Sequence, residues 1–227
     1  MGPALTELTI GDDPAAWGRA GFSVVDDRIT IGSVTLRFQP PGDDGRRGVI
    51  AWSFDGVDDD GSIDGMLTLD RPARADGDDT DNGARSGNVQ DDSATAATSH
   101  PNGVTGIDHV VVMTDDLDRT SAALRAFGFE PRRRRAVPKS DPPRSQIFWW
   151  AGPVIIELVG PDTATGNGPA SIWGLALTTA DLDAVVDLLG DGVSTPRDAV
   201  QPGRRIASLR GRDLGLSVPV ALMTPHV

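Results

Sequence analysis

Residues Ile107–Gly128 read IDHVVVMTDDLDRTSAALRAFG, and residues Ile172–Gly192 read IWGLALTTADLDAVVDLLGDG. Each stretch opens with a short apolar run suited to a strand. A polar turn comes next, then Asp-Leu-Asp and a segment with apolar positions at helical spacing. At an offset of 65 residues, Asp116, Leu117 and Asp118 fall on Asp181, Leu182 and Asp183. The same offset places His109 on Gly174. Two copies of one strand-turn-helix unit are therefore expected, of which only the first carries an imidazole.

Working outward, Thr114 or Asp115 can cap the first helix and Gly128 suits its C-terminal end. Arg132–Val137 reads as a second strand, and Gln146–Trp150 with Val154–Val159 as a hairpin around Ala151-Gly152-Pro153. The first unit is thus β-α-β-β-β. The second repeats it with Ile172–Thr178, a helix over Leu182–Leu189, a weakly marked strand near Val193–Ala199, then Arg204–Arg210 and Leu216–Met223. Towards the N-terminus, Leu5–Ile10, a short helix at Pro14–Ala20, Arg28–Ile31 and Ser33–Phe38 echo the first unit. Val49–Phe54 echoes the opening of the second. In this alignment Glu7 takes the place of His109 and Arg37 that of Glu157, and in the echo of the second unit Ala51 takes the His109 position. The stretch between Phe54 and residue 73 is too short for a complete unit.

The chain has 227 residues and a net charge of −12, with 19 acidic and 8 basic residues before position 106 and 14 and 13 after it. An acidic balance argues against nucleic acid as a partner. There is no Cys and no Tyr, which excludes disulfides, thiolate nucleophiles, Cys-held metals and a phenolic acid. No apolar run reaches membrane-span length and no leader is evident, so a cytoplasmic protein is expected. Residues 73–105 hold no aromatic residue and few aliphatics, the composition of a disordered acidic linker. The expected organisation is a reduced copy at 4–72, the linker at 73–105 and a complete domain at 106–225. Asp78–Gly83 is too poor a match to a calcium loop to count as one. His100 and His226 are expected to be solvated.

Paired βαβββ units with His on a first strand and Glu on a fourth resemble the vicinal oxygen chelate superfamily, which includes glyoxalase I, the bleomycin-resistance proteins and the extradiol dioxygenases. The resemblance rests on IDHVVVMTDDLD with AFGF, VIIELVGP and IWGLALTTADLD. It implies an α+β fold in which paired βαβββ modules form a half-open barrel. It also implies a divalent metal (Fe, Mn, Ni, Co or Zn) bound from the first and fourth strands of each module. Carried onto this chain, those positions are His109, Glu157, Gly174 and Ala221, of which two can bind metal and two cannot. Two ligands alone hold an ion weakly, so the metal is either weakly bound or absent.

Two functional readings are open. One is a lyase, isomerase or oxygenase in which His109 and Glu157 are catalytic residues and metal ligands. The other is a binding or sequestration protein of bleomycin-resistance type, without catalysis. Strand alternation puts Ile107, His109, Val111 and Met113 on one face of the first strand, with Asp108, Val110 and Val112 on the other. It puts Ile155, Glu157 and Val159 together on the last. Alternatively, His109 is a hydrogen-bonded strand-end histidine and Glu157 a core carboxylate paired with an arginine or with His109 itself. Trp150, Phe148, Gly174, Met113 and Arg133 are the candidate pocket residues. Gly174 is expected to leave extra room for a bulky ligand, and Trp173 to pack under a helix. Arg132–Arg135 reads either as a charged edge strand or as a source of two guanidinium groups for a carboxylate or phosphate. A small-molecule ligand is expected, bound by a monomeric pseudo-dimer or a homodimer.

Overall fold

Fourteen strands and four α-helices fall into two mixed sheets in the computed structural model, which describes residues 2–39, 45–56, 61–69 and 99–225. The calcium-like loop, His226 and residues 73–98 of the expected linker lie outside the described residues. The N-terminal part runs β1 (Ala4–Ile10), α1 (Pro14–Arg19), β2 (Arg28–Ile31), β3 (Val34–Phe38), β4 (Val49–Asp55), β5 (Gly61–Ile63) and β6 (Met66–Thr68). The C-terminal part begins with β7 (Val104–Met113), α2 (Leu117–Ala126), β8 (Pro131–Ala136), β9 (Arg144–Ala151) and β10 (Val154–Pro161). It continues with β11 (Ser171–Thr179), α3 (Leu182–Leu189), β12 (Arg197–Asp198), β13 (Arg205–Ser208), α4 (Gly211–Leu214) and β14 (Val220–Met223).

The recurring Asp-Leu-Asp has a local cause. Its first aspartate is the helix N-cap in both copies. Asp116 Oδ1 accepts from the backbone N–H groups of Asp118 and Arg119 at 3.0 and 2.9 Å. Asp181 Oδ1 accepts from Asp183 and Ala184 at 2.9 and 3.0 Å. Such a cap satisfies donors that have no partner within the helix and is worth about 1 kcal/mol. The expected cap at Thr114 or Asp115 is thus displaced to Asp116. Thr114 instead uses its hydroxyl to accept from the Asp116 N–H at 3.0 Å. The leucine after each cap, Leu117 or Leu182, is buried.

The eight-stranded sheet has the order β12-β13-β14-β11-β7-β10-β9-β8. In each half the first strand lies parallel to the last, β7 with β10 and β11 with β14. The halves join through antiparallel β7 and β11. This is the paired βαβββ arrangement, left open because the edge strands β8 and β12 do not pair with each other. The six-stranded sheet, β2-β3-β1-β4-β6-β5, has the same plan at smaller scale. Antiparallel β1 and β4 form its centre, and β3 and β6 flank them in parallel. Each of its halves has three strands where the larger sheet has four.

One apolar cluster runs through both sheets. It includes Val110, Val112, Ile156 and Leu158 on the face opposite Glu157, together with Leu8, Trp52 and Phe54 of the smaller sheet. Phe54 meets Phe129 edge-on with ring centres 5.0 Å apart. Polar anchors add to the contact. Arg119 donates to Asp64 at 2.7 Å and to the Gly168 carbonyl at 2.6 Å. The buried Asp12 accepts from the Ser217 N–H at 3.0 Å.

His100 is also an anchor. Far from solvated, it is 5% exposed and packs edge-on against Phe22. Its Nδ1 accepts from the Ser23 N–H at 3.2 Å, so Nε2 carries the proton and donates to the Thr30 carbonyl at 3.0 Å. Burial lowers its pKa, and the bond to Thr30 only partly offsets this. A lowered histidine value means that the unfolded chain takes up the proton first. The stabilisation is complete above the ordinary value of about 6.5 and is lost as pH falls through it toward the lower folded value. Thermal unfolding at pH 7.5 and 5.5 is expected to show a smaller difference in Tm for His100→Gln than for the parent chain. An equal difference would mean that the ring has no part in the acid sensitivity.

Candidate functional site

Strand β10 pairs in register with β7, placing Ile155 beside His109 and Glu157 beside Val111. Alternation along VIIELVGP buries Val154, Ile156 and Leu158 and turns Ile155 and Glu157 to the opposite face. On that face His109 Nε2 lies 3.3 Å from Glu157 Oε2. The imidazole and the carboxylate therefore converge, and both line two adjoining cavities.

The first cavity is about 380 Å³ and is walled by Arg132, Arg133, Arg135, Phe148, Trp150 and Ile155. The second is about 460 Å³ and is mostly apolar, with Val111, Trp173, Ile206, Leu209, Val220 and Ala221 in its lining. His109 and Glu157 occupy the seam between them.

The pair sits in a longer chain of polar contacts. Asp108 Oδ2 is 2.7 Å from His109 Nδ1, and Arg204 Nη2 donates to Asp108 Oδ1 at 2.6 Å. The Gln146 amide donates to Glu157 Oε1, and Arg135 Nε donates to Gln146 Oε1 at 2.9 Å. Burial would raise the Asp108 pKa, but the hydrogen bonds and charges of His109 and Arg204 outweigh it and hold the carboxyl at about 2. An ionised Asp108 accepts, so the neutral imidazole keeps its proton on Nδ1 and turns the Nε2 lone pair toward Glu157. Two lone pairs facing each other at 3.3 Å repel unless a proton or a metal cation lies between them.

Strict alternation had put Asp108 on the far face of β7 and Ile107 beside His109. A bulge reverses this. His109 pairs with Ala176 but Ile107 pairs with Leu177, so Asp108 is an extra residue. Ile107 then turns into the core. Strand β11 carries the equivalent bulge, with Ile172 opposite Val112 and Gly174 opposite Val111. Its extra residue is Trp173, which lies at the repeat offset from Asp108. Trp173 is accordingly 56% exposed and lines the second cavity, instead of packing under a helix.

A third bulge, between Pro131 and Arg133 on β8, has Arg132 as its extra residue. Three of the four arginines, not two, therefore line the first cavity, while Arg134 pairs with Asp162 at 2.9 Å. The run is nonetheless also an edge strand, so the two readings of it describe one element. A bulge inserts a residue, bends its strand and re-aims side chains, and it recurs next to functional sites.

Phe148, Trp150 and Arg133 line the first cavity. Gly174 and Met113 line neither cavity. The room at Gly174 is taken by Pro219. A Cβ there would stand 2.8 Å from the Pro219 carbonyl oxygen, so glycine is required by backbone approach and frees no space. Met113 sits at the far end of β7, beside Val159 and Ser171. Ala221 lines the second cavity without a donor.

In the smaller sheet Glu7 lies opposite Thr35, as His109 lies opposite Ile155, and Arg37 comes two residues later, as Glu157 does. There the matched positions hold a closed ion pair, Arg37 Nε to Glu7 Oε1 at 2.9 Å.

The open sheet of two βαβββ modules thus carries an imidazole–carboxylate pair at its seam, with a cavity on either side. Residues 108–207 match the model of the Glyoxalase/Bleomycin resistance protein/Dioxygenase superfamily. No curated protein matches the sequence. Among solved structures, a mutant 4-hydroxymandelate synthase from Streptomyces coelicolor is 15% identical with a TM-score of 0.57, covering 99% of this chain and 93% of that one. A halotolerant catechol dioxygenase is 12% identical with a TM-score of 0.57, covering 100% and 87%. Methylmalonyl-CoA epimerase from Mycobacterium tuberculosis is 25% identical with a TM-score of 0.43, covering 58% and 93%. At their identities the likeness to the synthase and the catechol dioxygenase is one of fold.

No described helix is long and apolar enough to cross a membrane. Among the described residues no group of three or more His, Cys, Asp or Glu is placed to hold a metal ion.

Proposed function

We propose that the chain is a small-molecule enzyme of lyase, isomerase or oxygenase type, acting at His109 and Glu157. The observation that carries the reading is the 3.3 Å approach of Nε2 to Oε2 at the seam of two cavities. A divalent ion fits between them. Ligand bonds near 2 Å to an imidazole nitrogen and a carboxylate oxygen leave those atoms about 3 Å apart. The carboxylate behind the ring, Asp108, is the usual partner of a metal-bound histidine. When bound, such an ion would supply Lewis acidity toward paired substrate oxygens. The chain's own residues do the rest. Asp108 fixes the ring and its tautomer, Gln146 orients the Glu157 carboxylate, and Glu157 Oε2 can take or return a proton at a substrate atom held in the seam. The flanking apolar walls limit water.

A second reading, sequestration without catalysis, is favoured by Gly174 and Ala221, which supply no donors from the second module. Metal analysis separates the two. Under the enzyme reading, purified protein carries Fe, Mn, Ni, Co or Zn at about one equivalent, and His109→Ala and Glu157→Gln each lose it while still unfolding cooperatively. Metal-free parent protein, or metal content unchanged in His109→Ala, would overturn the metal-dependent reading.

A further inference from the structure

We propose that the two cavities take one ligand, an organic oxyanion with an apolar body. Its oxyanion is held by Arg132 and Arg133, and its body lies in the second cavity, so that its middle crosses the His109–Glu157 seam. The proposal rests on the reading of that seam as the reacting centre and adds the chemical class of what reaches it.

Charge provides the first argument. On a chain of net charge −12, the first cavity gathers three arginines. Arg135 is engaged with Gln146, but among the described residues Arg132 and Arg133 make no ion pair. Arg132 instead lies over the Trp150 ring at 5.9 Å from its centre. Of the two carboxylates facing this cavity, Asp108 is already matched by Arg204. Free guanidinium groups beside an apolar wall bind carboxylate or phosphate through charge-assisted, often paired hydrogen bonds.

Register provides the second argument. Val111, Glu157, Phe148 and Arg133 stand opposite one another across β7, β10, β9 and β8. Arg133 is thus two strands from Glu157, a spacing of about 10 Å that long side chains shorten.

The tryptophans provide the third. Trp17, Trp52 and Trp149 are fully buried, whereas Trp150 and Trp173 stand 44% and 56% exposed, one in each cavity. Large aromatic faces left open on the two sides of a polar seam suit a ligand that covers both.

The test uses chelator-treated full-length protein, so that no bound cation supplies the attraction. The probes are 1-naphthoate, 1-naphthyl phosphate and the neutral 1-naphthamide, monitored by tryptophan quenching and calorimetry. At least one acid is expected to bind at least tenfold tighter than the amide, and the tighter of the two identifies carboxylate or phosphate as the oxyanion. Arg133→Gln is expected to cost that acid about tenfold and leave the amide unchanged. Trp173→Phe is expected to remove part of the quenching. Equal binding of acids and amide, no binding of either acid, or an unchanged preference in Arg133→Gln would overturn the proposal. None of these results depends on the metal content of the parent protein, so the seam reading stands or falls separately.

Discussion

Arg204→Met is expected to lower stability by about 3–5 kcal/mol, the usual cost of stranding one partner of a buried ion pair. Arg204 is 2% exposed, although arginine is among the residue types least often buried. Its Nε donates to the Thr224 carbonyl at 2.7 Å and its Nη2 to Asp108 at 2.6 Å. Methionine fills much of the same volume, so the loss reports the charge and not a cavity. In a domain of this size it corresponds to a fall in Tm of about 10 °C or more. Adding Asp108→Asn removes the stranded carboxylate and is expected to recover more than half of the loss, a coupling that thermal unfolding of the two single variants and the double variant measures.

The acid limb of the stability curve gives a second readout. With its pKa held at about 2, Asp108 contributes stability above the unfolded carboxylate value, and this is lost as pH falls through 2. Without Arg204 the folded value rises toward the unfolded one, so this contribution shrinks and its loss is complete at a higher pH. A single variant within 1 kcal/mol of the parent, or strict additivity with Asp108→Asn, would remove Arg204 as the support beneath His109.

Trp149→Ala is expected to cost about 3–5 kcal/mol, the range for deleting a large aromatic from a packed core. Trp149 is fully buried on the face of β9 opposite Phe148 and Trp150, with the Arg125 guanidinium 5.5 Å from its ring centre. Among the described residues its indole N–H has no hydrogen-bond partner. Trp149→Phe therefore keeps most of the apolar contact and removes an unsatisfied buried donor, and its expected cost is below about 1.5 kcal/mol. Denaturant unfolding of the two variants distinguishes the roles. If Phe were as damaging as Ala, the indole N–H, and not the buried ring, would be what matters.

Much of this architecture was legible in the residues. The repeat between 107–128 and 172–192 gave both modules, because an N-cap aspartate followed by a core leucine is a local requirement that each copy meets independently. The hairpin at Gly152 and the alternation in VIIELV gave the facing of Glu157. The smaller sheet was harder to read. β5 and β6 are three residues each, and neither carries a pattern long enough to mark a strand without its neighbours. α4 lies in the unassigned gap between the expected strands Arg204–Arg210 and Leu216–Met223, because no signal in Gly211–Leu214 marks a single helical turn.

What the chain determined by itself is most of the longer elements, the two-module plan and the placing of one imidazole and one carboxylate on strands that become neighbours. Period-two alternation and helix capping act over a few residues, so a linear reading reaches them. What only the tertiary structure decided is which further side chains join that pair. Asp108, Arg132 and Trp173 each sit at a bulge, and each faces the hollow against the alternation of its own strand. A bulge is a mismatch between two paired strands, and neither strand contains it alone. Gly174 is the same kind of case, since its need for glycine comes from Pro219 across the sheet.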